Sequence, residues 1–548
     1  MTRFLIAASA IALAAPATAA HPDFSAERIE THVRILSDDW YEGRAPGTPG
    51  EDKTVAYLSG AFAAIGLQPG GDMGPDGQRQ WTQDVILFRS NMVEEPTLAL
   101  NLGGEKLGLT QNSDLAIRAP VNGMERVELD DVPLVFVGYG THAPERDWSD
   151  FKDVDVAGKI VVALVNDPDF EGGEGDFGGA EMTYYGRWTY KYEEAARRGA
   201  AGVLVIHETA PASYGWNVIS VNNSQTRDIV REDPGAYHTG LQGWMHLDLA
   251  TRIFAELGMT YEEAKAAARR RDFQPIDMGA SLDATITAEL DQFAAKNVVG
   301  ILPGSERPDE YVLFTAHHDH LGTGEPDENG DAVFNGALDN ATGTAMLIEL
   351  GRGFVNTGGT HRSLVFMAVG AEEGGLLGSK YYAANPIYPI EKTVGVINTD
   401  SQGVFGAAHD FSISGTARLG LLDILIEEGE ALDRRFAPDP RPEAGGFFRS
   451  DHFAFAQVGV PAVSFKSGQE LIEGQDDPEV QAMREAVGIN YHRRDDEYDP
   501  DWRFDGIVED AKLIHRVGTR LGNGEAWPNW AEGSEFKALR DASAEARD

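Results

Sequence analysis

The chain has 548 residues, of which 42% are hydrophobic and 9% aromatic, a composition typical of a folded protein with more than one core. Its 88 acidic and 46 basic residues give a formal net charge of -42, which argues against nucleic acid and anionic membrane surfaces as partners. The absence of cysteine excludes disulfides, so stability must come from apolar cores and bound ligands.

The first twenty residues have the pattern of a secretory signal peptide. Arg3 precedes an apolar run from Phe4 to Ala15, and small residues suited to cleavage follow it. The run is too short to cross a bilayer, and no other stretch approaches the ~18 apolar residues that a span requires. We therefore expect an exported bacterial protein, periplasmic or secreted, with residues 1–20 as its signal peptide and no membrane span.

Residues 21–129 are predicted to be the N-terminal part of a domain that resumes after an insertion. Apolar residues at helical spacing predict a helix from Glu51 to Gly66, which a glycine ends. Before it, Glu42-Gly-Arg-Ala-Pro-Gly-Thr-Pro-Gly50 is predicted to be a rigid, turn-rich loop. Short strands separated by turns are expected from Thr82 to about Glu128.

Residues 130–275 are predicted to form a smaller α/β module, including a helix Met259–Arg271 capped by Thr260. Three segments of this module are Val137-Gly-Tyr-Gly140, Val154-Asp-Val-Ala-Gly-Lys159 and Ala195-Ala-Arg-Arg-Gly-Ala-Ala-Gly-Val203. Their order and spacing resemble the protease-associated (PA) domain that is inserted in several exopeptidases. The resemblance implies a lid or an interaction surface rather than a catalytic unit.

Residues 276–522 alternate between strands and helices, which predicts an α/β fold with a mostly parallel central sheet covered by helices on both faces. Near-continuous apolar runs mark strands at Tyr311–Ala316, Ser363–Gly370 and Thr393–Thr399. Two further strands are expected at Met278–Leu290 and Lys296–Leu302. The remaining residues, 523–548, are polar and acidic, and we expect a mobile tail.

Five segments place carboxylates or imidazoles at the carboxyl-end edge of this predicted sheet. They contain His317 with Asp319, Asp339, Glu372 with Glu373, Asp400, and His492. So many buried carboxylates require cations to neutralise them, and a mixture of imidazole and carboxylate favours zinc over calcium or magnesium. The sequence therefore predicts two Zn²⁺ ions that share a bridging carboxylate, with one acid left free to transfer protons.

Six motifs carry a family resemblance: Ala316-His-His-Asp-His-Leu-Gly322, Gly336-Ala-Leu-Asp-Asn-Ala-Thr-Gly343, Ala371-Glu-Glu-Gly-Gly-Leu-Leu-Gly-Ser379, Asn398-Thr-Asp400, Ser450-Asp-His452 and Tyr491-His492. They resemble the co-catalytic di-zinc exopeptidases of metallopeptidase clan MH, typified by bacterial leucyl aminopeptidase, aminopeptidase Y and glutamate carboxypeptidase. The resemblance covers about Lys296 to Asp505 and implies the zinc exopeptidase fold.

The resemblance also implies a role for each matching residue. One zinc would take His317, Asp339 and Asp400, and the other would take Asp339, Glu373 and His492, with Asp339 as the bridge. Glu372 would be the general base and acid, Asp319 would orient His317, and Asp496 would play a similar orienting part.

Five further positions near the motifs are expected to lie outside the ligand set. His318, His320 and His452 are predicted not to bind metal, with His320 in a loop. Asn340 replaces an acid found in several family members, and we expect the change to be tolerated. Arg449 is expected on the substrate side of the centre.

These expectations favour an exported zinc-dependent exopeptidase that removes N-terminal residues from peptides. One alternative is a carboxypeptidase that acts on dipeptides or C-terminal residues with the same metals. A second alternative, from a different class, is a receptor-like binding protein that retains the fold without catalysis.

Overall fold

A computed structural model describes residues 22–171 and 175–547 of the chain. The predicted signal peptide, residues 1–20, lies outside the described residues. In the described part of the chain, every helix is too short or too polar to span a bilayer.

Within the described residues the strands, β1 to β21 in chain order, are Gln68–Pro69, Thr82–Met92, Thr97–Leu102, Glu105–Leu109, Leu115–Ile117, Arg126–Phe136, His142–Ala143, Trp148–Ser149, Ile160–Leu164, Gly202–Ile206, Gln225–Ile229, Leu241–Met245, Ile276–Leu302, Arg307–His317, Gly322–Thr323, Val333–Phe334, Arg362–Val369, Thr393–Thr399, Asp410–Ile413, Arg435–Phe436 and Ala462–Ser467. The helices described, α1 to α14, are Ala26–Leu36, Pro49–Ala64, Trp188–Arg197, Thr209–Ala212, Trp216–Ile219, Leu247–Glu256, Tyr261–Ala268, Gly343–Asn356, Leu377–Ala384, Gly420–Glu430, His452–Ala456, Pro478–Asn490, Asp505–Asn523 and Lys537–Ala542.

The predicted α/β fold is confirmed, and its centre consists of β14, β17, β18 and β21, which pair in parallel. Alternate side chains of these buried strands reach opposite faces. Phe314 and Phe366 stack on the face covered by α8 and α13, whereas Leu313 and Val365 pack with Tyr382 of α9 on the other. The expected parallel pairing does not extend to the flanks, because β13 and β19 add antiparallel strands and make the whole sheet mixed.

A single strand, β13, joins the two sheet regions of the protein. The prediction of two strands at Met278–Leu290 and Lys296–Leu302 was wrong, because the chain continues as one 27-residue strand between them. Its first half pairs with β3 and β6, and its second half pairs with β2 and β17. The intervening polar and small residues remain extended because β2 supplies a hydrogen-bonding partner along this stretch.

The second sheet region contains the parallel strands β6, β9, β10 and β12, with an apolar core of its own. Strands β3, β4 and β5 also pair within it, although they precede residue 130. The expected helix near 259–271 is confirmed as α7, where the Thr260 hydroxyl accepts the N–H of Glu263 and the Glu263 carboxylate accepts the N–H of Thr260.

The C-terminal residues are packed, in contrast to the mobile tail that their polar composition suggested. Trp530 and Phe536 are buried in the core of the catalytic region. Arg540 is 1% exposed and donates hydrogen bonds to the carbonyls of Thr393 and Val394 at the start of β18. A few large side chains therefore anchor a segment whose average composition is polar.

Candidate metal centre

The predicted site residues meet at one edge of the catalytic sheet. His317 is the last residue of β14, Glu372 and Glu373 follow β17, and Asp400 follows β18. Because these strands run parallel, their carboxyl ends lie together. Two other segments reach the same edge: Asp339 lies in the helical turn before α8, and His492 follows α12.

Asp339 lies between two groups of candidate ligands. Its Oδ1 is 3.1 Å from His317 Nε2, which is also 3.6 Å from Asp400 Oδ1. Its Oδ2 is 3.2 Å from His492 Nε2, which is also 3.0 Å from Glu373 Oε2. The two oxygens of one buried carboxylate thus serve two separate imidazole–carboxylate groups, which is the arrangement expected of a bridging ligand.

His320 lies closer to the centre than the sequence suggested. It lies in a loop, as predicted, but is buried, and its Nδ1 is 2.7 Å from Glu373 Oε1. His320, Asp339 and Glu373 offer ligand atoms that all lie within 4.8 Å of one another, as do His317, Asp339 and Asp400. Glu373 therefore has imidazoles on two sides, His320 and His492. The Asp-His320-Leu-Gly spacing alone gave no signal of this approach.

Among the described residues, two buried polar atoms at the centre have no hydrogen-bond partner. They are His320 Nε2 and Asp451 Oδ2. Leaving such atoms unsatisfied costs about 1–3 kcal/mol each, so a cation coordinated by them would remove a penalty. Imidazole nitrogens and carboxylate oxygens are donors that suit zinc, and the residues present fit that metal.

The shifted pKa values of the buried carboxyl groups at this edge of the sheet also favour a bound cation. Burial raises the pKa of Glu372 well above the ordinary glutamate value, and the nearby Asp451 and Glu373 carboxylates add to the shift against the effect of His317. Burial likewise raises the pKa of both Asp319 and Asp451 to about 7. These acids cannot all ionise together at neutral pH without a neutralising cation.

Asp319 holds the adjacent residues Glu372 and Glu373 in place. Its carboxylate accepts the backbone N–H groups of Glu372 at 3.0 Å and Glu373 at 3.3 Å. The expected contact with His317 is looser, because Asp319 Oδ1 lies 3.8 Å from His317 Nδ1. The backbone carbonyl oxygen of Asp319 is nearer to that nitrogen, at 3.2 Å. The side chain therefore orients Glu372 and Glu373 more directly than it orients His317.

Asp496 supports Asp339 rather than His492. Its two carboxylate oxygens accept the N–H groups of Leu338 at 2.9 Å and Asp339 at 3.1 Å. Asn340, the departure from the family pattern, links three segments: its amide donates to Thr399 O and accepts from the N–H groups of Gly343 and Ser401. A carboxylate could not donate, so the amide is suited to this position.

Replacing Asp496 by asparagine is expected to weaken zinc binding about 10- to 100-fold. The backbone N–H groups of Leu338 and Asp339 both donate to the Asp496 carboxylate, and one of them would lose its acceptor, so that Asp339 would be held less firmly. The affinity would be measured by competition with a chelator of known affinity. Asp495→Asn, at the exposed neighbouring position, is the matched control and should leave the affinity unchanged. Equal affinities for both variants would show that Asp496 does not support the centre.

Arg44 is a structural residue that the sequence reasoning missed. Its guanidinium, 1% exposed, donates to the carbonyls of His318 at 2.8 Å, Asn335 at 2.5 Å and Gly336 at 2.9 Å. It also donates to Leu36 O at 2.7 Å. One side chain thus joins the segment after His317 to the segment before Asp339. The only signal was an arginine inside a glycine- and proline-rich loop.

His318, His452 and Arg449 lie outside the candidate ligand groups of the described residues. His318 points its Nε2 at Lys296 O, 2.8 Å away, and His452 packs against Phe447 with a ring separation of 4.7 Å. Arg449 is exposed in a cleft that is also lined by Glu372, Glu373 and His492.

Comparisons with known proteins agree with this site. Residues 297–513 match the model of Peptidase family M28. The chain is 30% identical over 168 residues to aminopeptidase NAALADL1 of Mus musculus, which is 26% of this chain and 21% of that protein. It is 32% identical over 128 residues to a glutamate carboxypeptidase 2 homolog of Caenorhabditis elegans, which is 22% of this chain and 15% of that protein. The alignments thus span about a fifth or less of these relatives.

Solved structures resemble the chain over more of its length. An aminopeptidase from Aneurinibacillus sp. strain AM-1 aligns over 91% of this chain and 94% of its own, with 20% identity and a TM-score of 0.48. BSAP, a zinc aminopeptidase from Bacillus subtilis, aligns over 94% and 99%, with 18% identity and a TM-score of 0.41. The family match covers the five ligand-bearing segments, and residues 297–513 are thus similar to peptidase family M28.

Proposed function

We propose that the protein is an exported, zinc-dependent exopeptidase that removes N-terminal residues from peptides. The observation that carries the proposal is the position of Asp339, whose two oxygens face His317 and His492 separately. A carboxylate in that position suits two metal ions. The adjacent Glu372 lines a cleft that could admit a peptide.

The proposed ligands form two sets with one member in common. His317, Asp339 and Asp400 would hold one zinc, and Asp339, Glu373 and His492 would hold the other, with His320 in contact with Glu373. When bound, zinc supplies a Lewis acid that polarises the scissile carbonyl and lowers the pKa of water towards ~7.

Glu372 would transfer the proton during hydrolysis. Its neighbour Glu373 faces the imidazoles, whereas burial and surrounding acids raise the pKa of Glu372 and so make it a better proton acceptor. It would accept a proton from the attacking water and deliver it to the leaving amine. Asp319 would hold both glutamates through their backbone N–H groups during this exchange.

Removal of N-terminal residues is favoured by the excess of carboxylates at the centre, since these suit a substrate ammonium. A second candidate, a carboxypeptidase acting on dipeptides or C-terminal residues, is favoured by a different observation. The cleft is also lined by five basic residues, and cationic groups suit a terminal carboxylate. These residues are Arg118, Arg187, Arg227, Lys380 and Arg449. The receptor-like alternative would require lost ligands, and every ligand position is filled.

Chelation is expected to abolish peptide hydrolysis, and added Zn²⁺ is expected to restore it, because the proposed reaction depends on the metal. Aminoacyl-4-nitroanilides and N-blocked dipeptides would be assayed before and after treatment with a chelator. Chelator-sensitive cleavage of the nitroanilides supports the aminopeptidase. Cleavage of only the blocked dipeptides supports the carboxypeptidase, and no turnover of either supports the binding protein.

We also propose that residues 130–275 are a PA-like module inserted between the peptidase parts, residues 21–129 and 276–522, with 523–548 as a C-terminal segment. The separate apolar core around β9 and β10 supports such a module. The participation of β3 to β5 in the same sheet favours an earlier start, near Thr97. Residues of this module, such as Trp188 and Tyr192, line the cleft, which favours a role for the module in enclosing the substrate.

A further inference from the structure

A cleft of about 380 Å³ beside the metal centre carries an unusual set of charges. It reaches Glu372, Glu373 and His492 on one side. Its remaining lining includes five basic residues, which we call the cationic wall: Arg118, Arg187, Arg227, Lys380 and Arg449. The chain as a whole has nearly twice as many acidic as basic residues, so this concentration of positive charge runs against its composition.

No ion pair within 4.0 Å joins the cationic wall to a carboxylate among residues 22–171 and 175–547, although Asp228 and Glu193 attract Lys380 over a longer distance. The two acids that line the cleft away from the metal centre are already engaged. Asp228 accepts a hydrogen bond from His238 at 2.5 Å and lies 3.5 Å from Arg231. Glu193 accepts the hydroxyl of Tyr184 and lies 3.7 Å from Arg197. Arg449 donates to Ala444 O and Arg227 to Gln225 Oε1, which are uncharged acceptors, so these hydrogen bonds leave the positive charge of the wall without an ion-pair partner.

Arg187 is the most constrained member of the wall. Its Nε is buried and has no hydrogen-bond partner among the described residues. Burial, together with the neighbouring Arg449 guanidinium, lowers the pKa of Arg187 to about 10. An anion between the two guanidiniums would supply the missing acceptor and relieve their repulsion.

The backbone beside Arg187 also favours an anion. Arg187 directly precedes the ten-residue helix α3, and no side chain caps that N-terminus. Trp188 and Thr189, in the first turn of α3, line the same cleft. Free N–H groups and the positive end of the helix dipole there would add to the attraction of the side chains.

We propose that the cationic wall binds a carboxylate of the peptide substrate, so that the enzyme prefers peptides with an acidic side chain or a free carboxyl terminus close to the scissile bond. Carboxylates are the anions that unmodified peptides carry, and guanidinium groups pair with them in matched geometry. This inference rests on the proposed peptidase function and adds a substrate class to it.

Pairs of substrates that differ only in one charge would test the preference. Leu-Glu-amide against Leu-Gln-amide reports a side-chain carboxylate, and Leu-Ala against Leu-Ala-amide reports a terminal one. For at least one pair, kcat/KM is expected to be about tenfold higher for the charged member at low salt, with the ratio falling as salt screens the wall. The pair with the higher ratio identifies which carboxylate is bound.

Two variants connect the preference to the wall. Arg187→Gln and Arg449→Gln should each lower the ratio towards one, because the charged substrate loses a partner that the amide never had. Arg449 is exposed, so its replacement should not impair folding. Arg252→Gln is the matched control: it is an exposed arginine on α6, away from the cleft, and should leave the ratio unchanged.

Calorimetric binding of N-acetyl-glutamate and N-acetyl-glutamine gives a readout that does not need turnover. Tighter binding of the glutamate, lost in Arg187→Gln, would support the inference even if no tested peptide were cleaved. Equal binding of the two compounds and equal kcat/KM within both substrate pairs would overturn it. In that case metal-dependent cleavage of the amides would leave the peptidase function standing.

Discussion

Replacing Glu372 by glutamine is expected to lower kcat about 10²- to 10⁴-fold while leaving the zinc content unchanged. The amide has nearly the shape of the carboxylate but cannot accept the proton of the attacking water. In the described residues Glu372 lines the cleft, and its backbone N–H donates to the Asp319 carboxylate. Steady-state kinetics and elemental analysis of the purified protein would measure the two quantities.

The neighbouring residue provides the control for this substitution. Glu373→Gln should lower the zinc content, because Glu373 belongs to a candidate ligand group with His320 and Asp339, and its Oε2 lies 3.0 Å from His492 Nε2. Glu372 would then control kcat, whereas Glu373 would control the zinc content. Loss of zinc from Glu372→Gln with retention in Glu373→Gln would mean that their roles are exchanged.

Replacing Arg44 by methionine should lower the free energy of unfolding by about 3–5 kcal/mol and also weaken zinc binding. The substitution leaves four backbone carbonyls without their donor, and those carbonyls belong to α1 and to the two segments that flank the metal ligands. Urea denaturation of the zinc-free protein would measure the stability, and competition with a chelator would measure the zinc affinity.

Two companion variants make this result interpretable. Arg34→Met removes an exposed arginine of α1 and should change the stability by less than about 0.5 kcal/mol. Arg44→Lys keeps a charge but has three donors instead of five, so it should recover only part of the loss. A change below 1 kcal/mol for Arg44→Met, on the scale of the exposed variant, would contradict the proposed anchoring role.

The position of the candidate ligands could be predicted from sequence because parallel strands bring their carboxyl ends to one edge. Each of His317, Glu373 and Asp400 stands at or just after the end of an apolar strand. The parallel arrangement of these strands then brings the three side chains to the same edge. The role of Asp496 was harder to infer, since it depends on two N–H groups about 157 residues earlier in the chain. A carboxylate four residues from His492 suggested a local partner, whereas its actual partners are distant.

Arg44 and the cationic wall had no such local signature. Arg44 contacts His318 across 274 sequence positions, and it binds backbone carbonyls, which every residue possesses. The members of the wall are scattered from Arg118 to Arg449 on elements of both sheet regions. Only the three-dimensional arrangement shows that these residues share a cleft and, among the described residues, have no ion-pair partner.

The strand β13 limits how the cleft can open. Thr287 still pairs with Arg126 of β6, and the next residue, Ala288, already pairs with Met92 of β2, so the ladder passes from one sheet region to the other without an unpaired residue. A hinge at this junction would have to break backbone hydrogen bonds of the ladder, each with a net contribution of about 0.5–1.5 kcal/mol. The shared strand therefore opposes a hinge between the two sheet regions at this point.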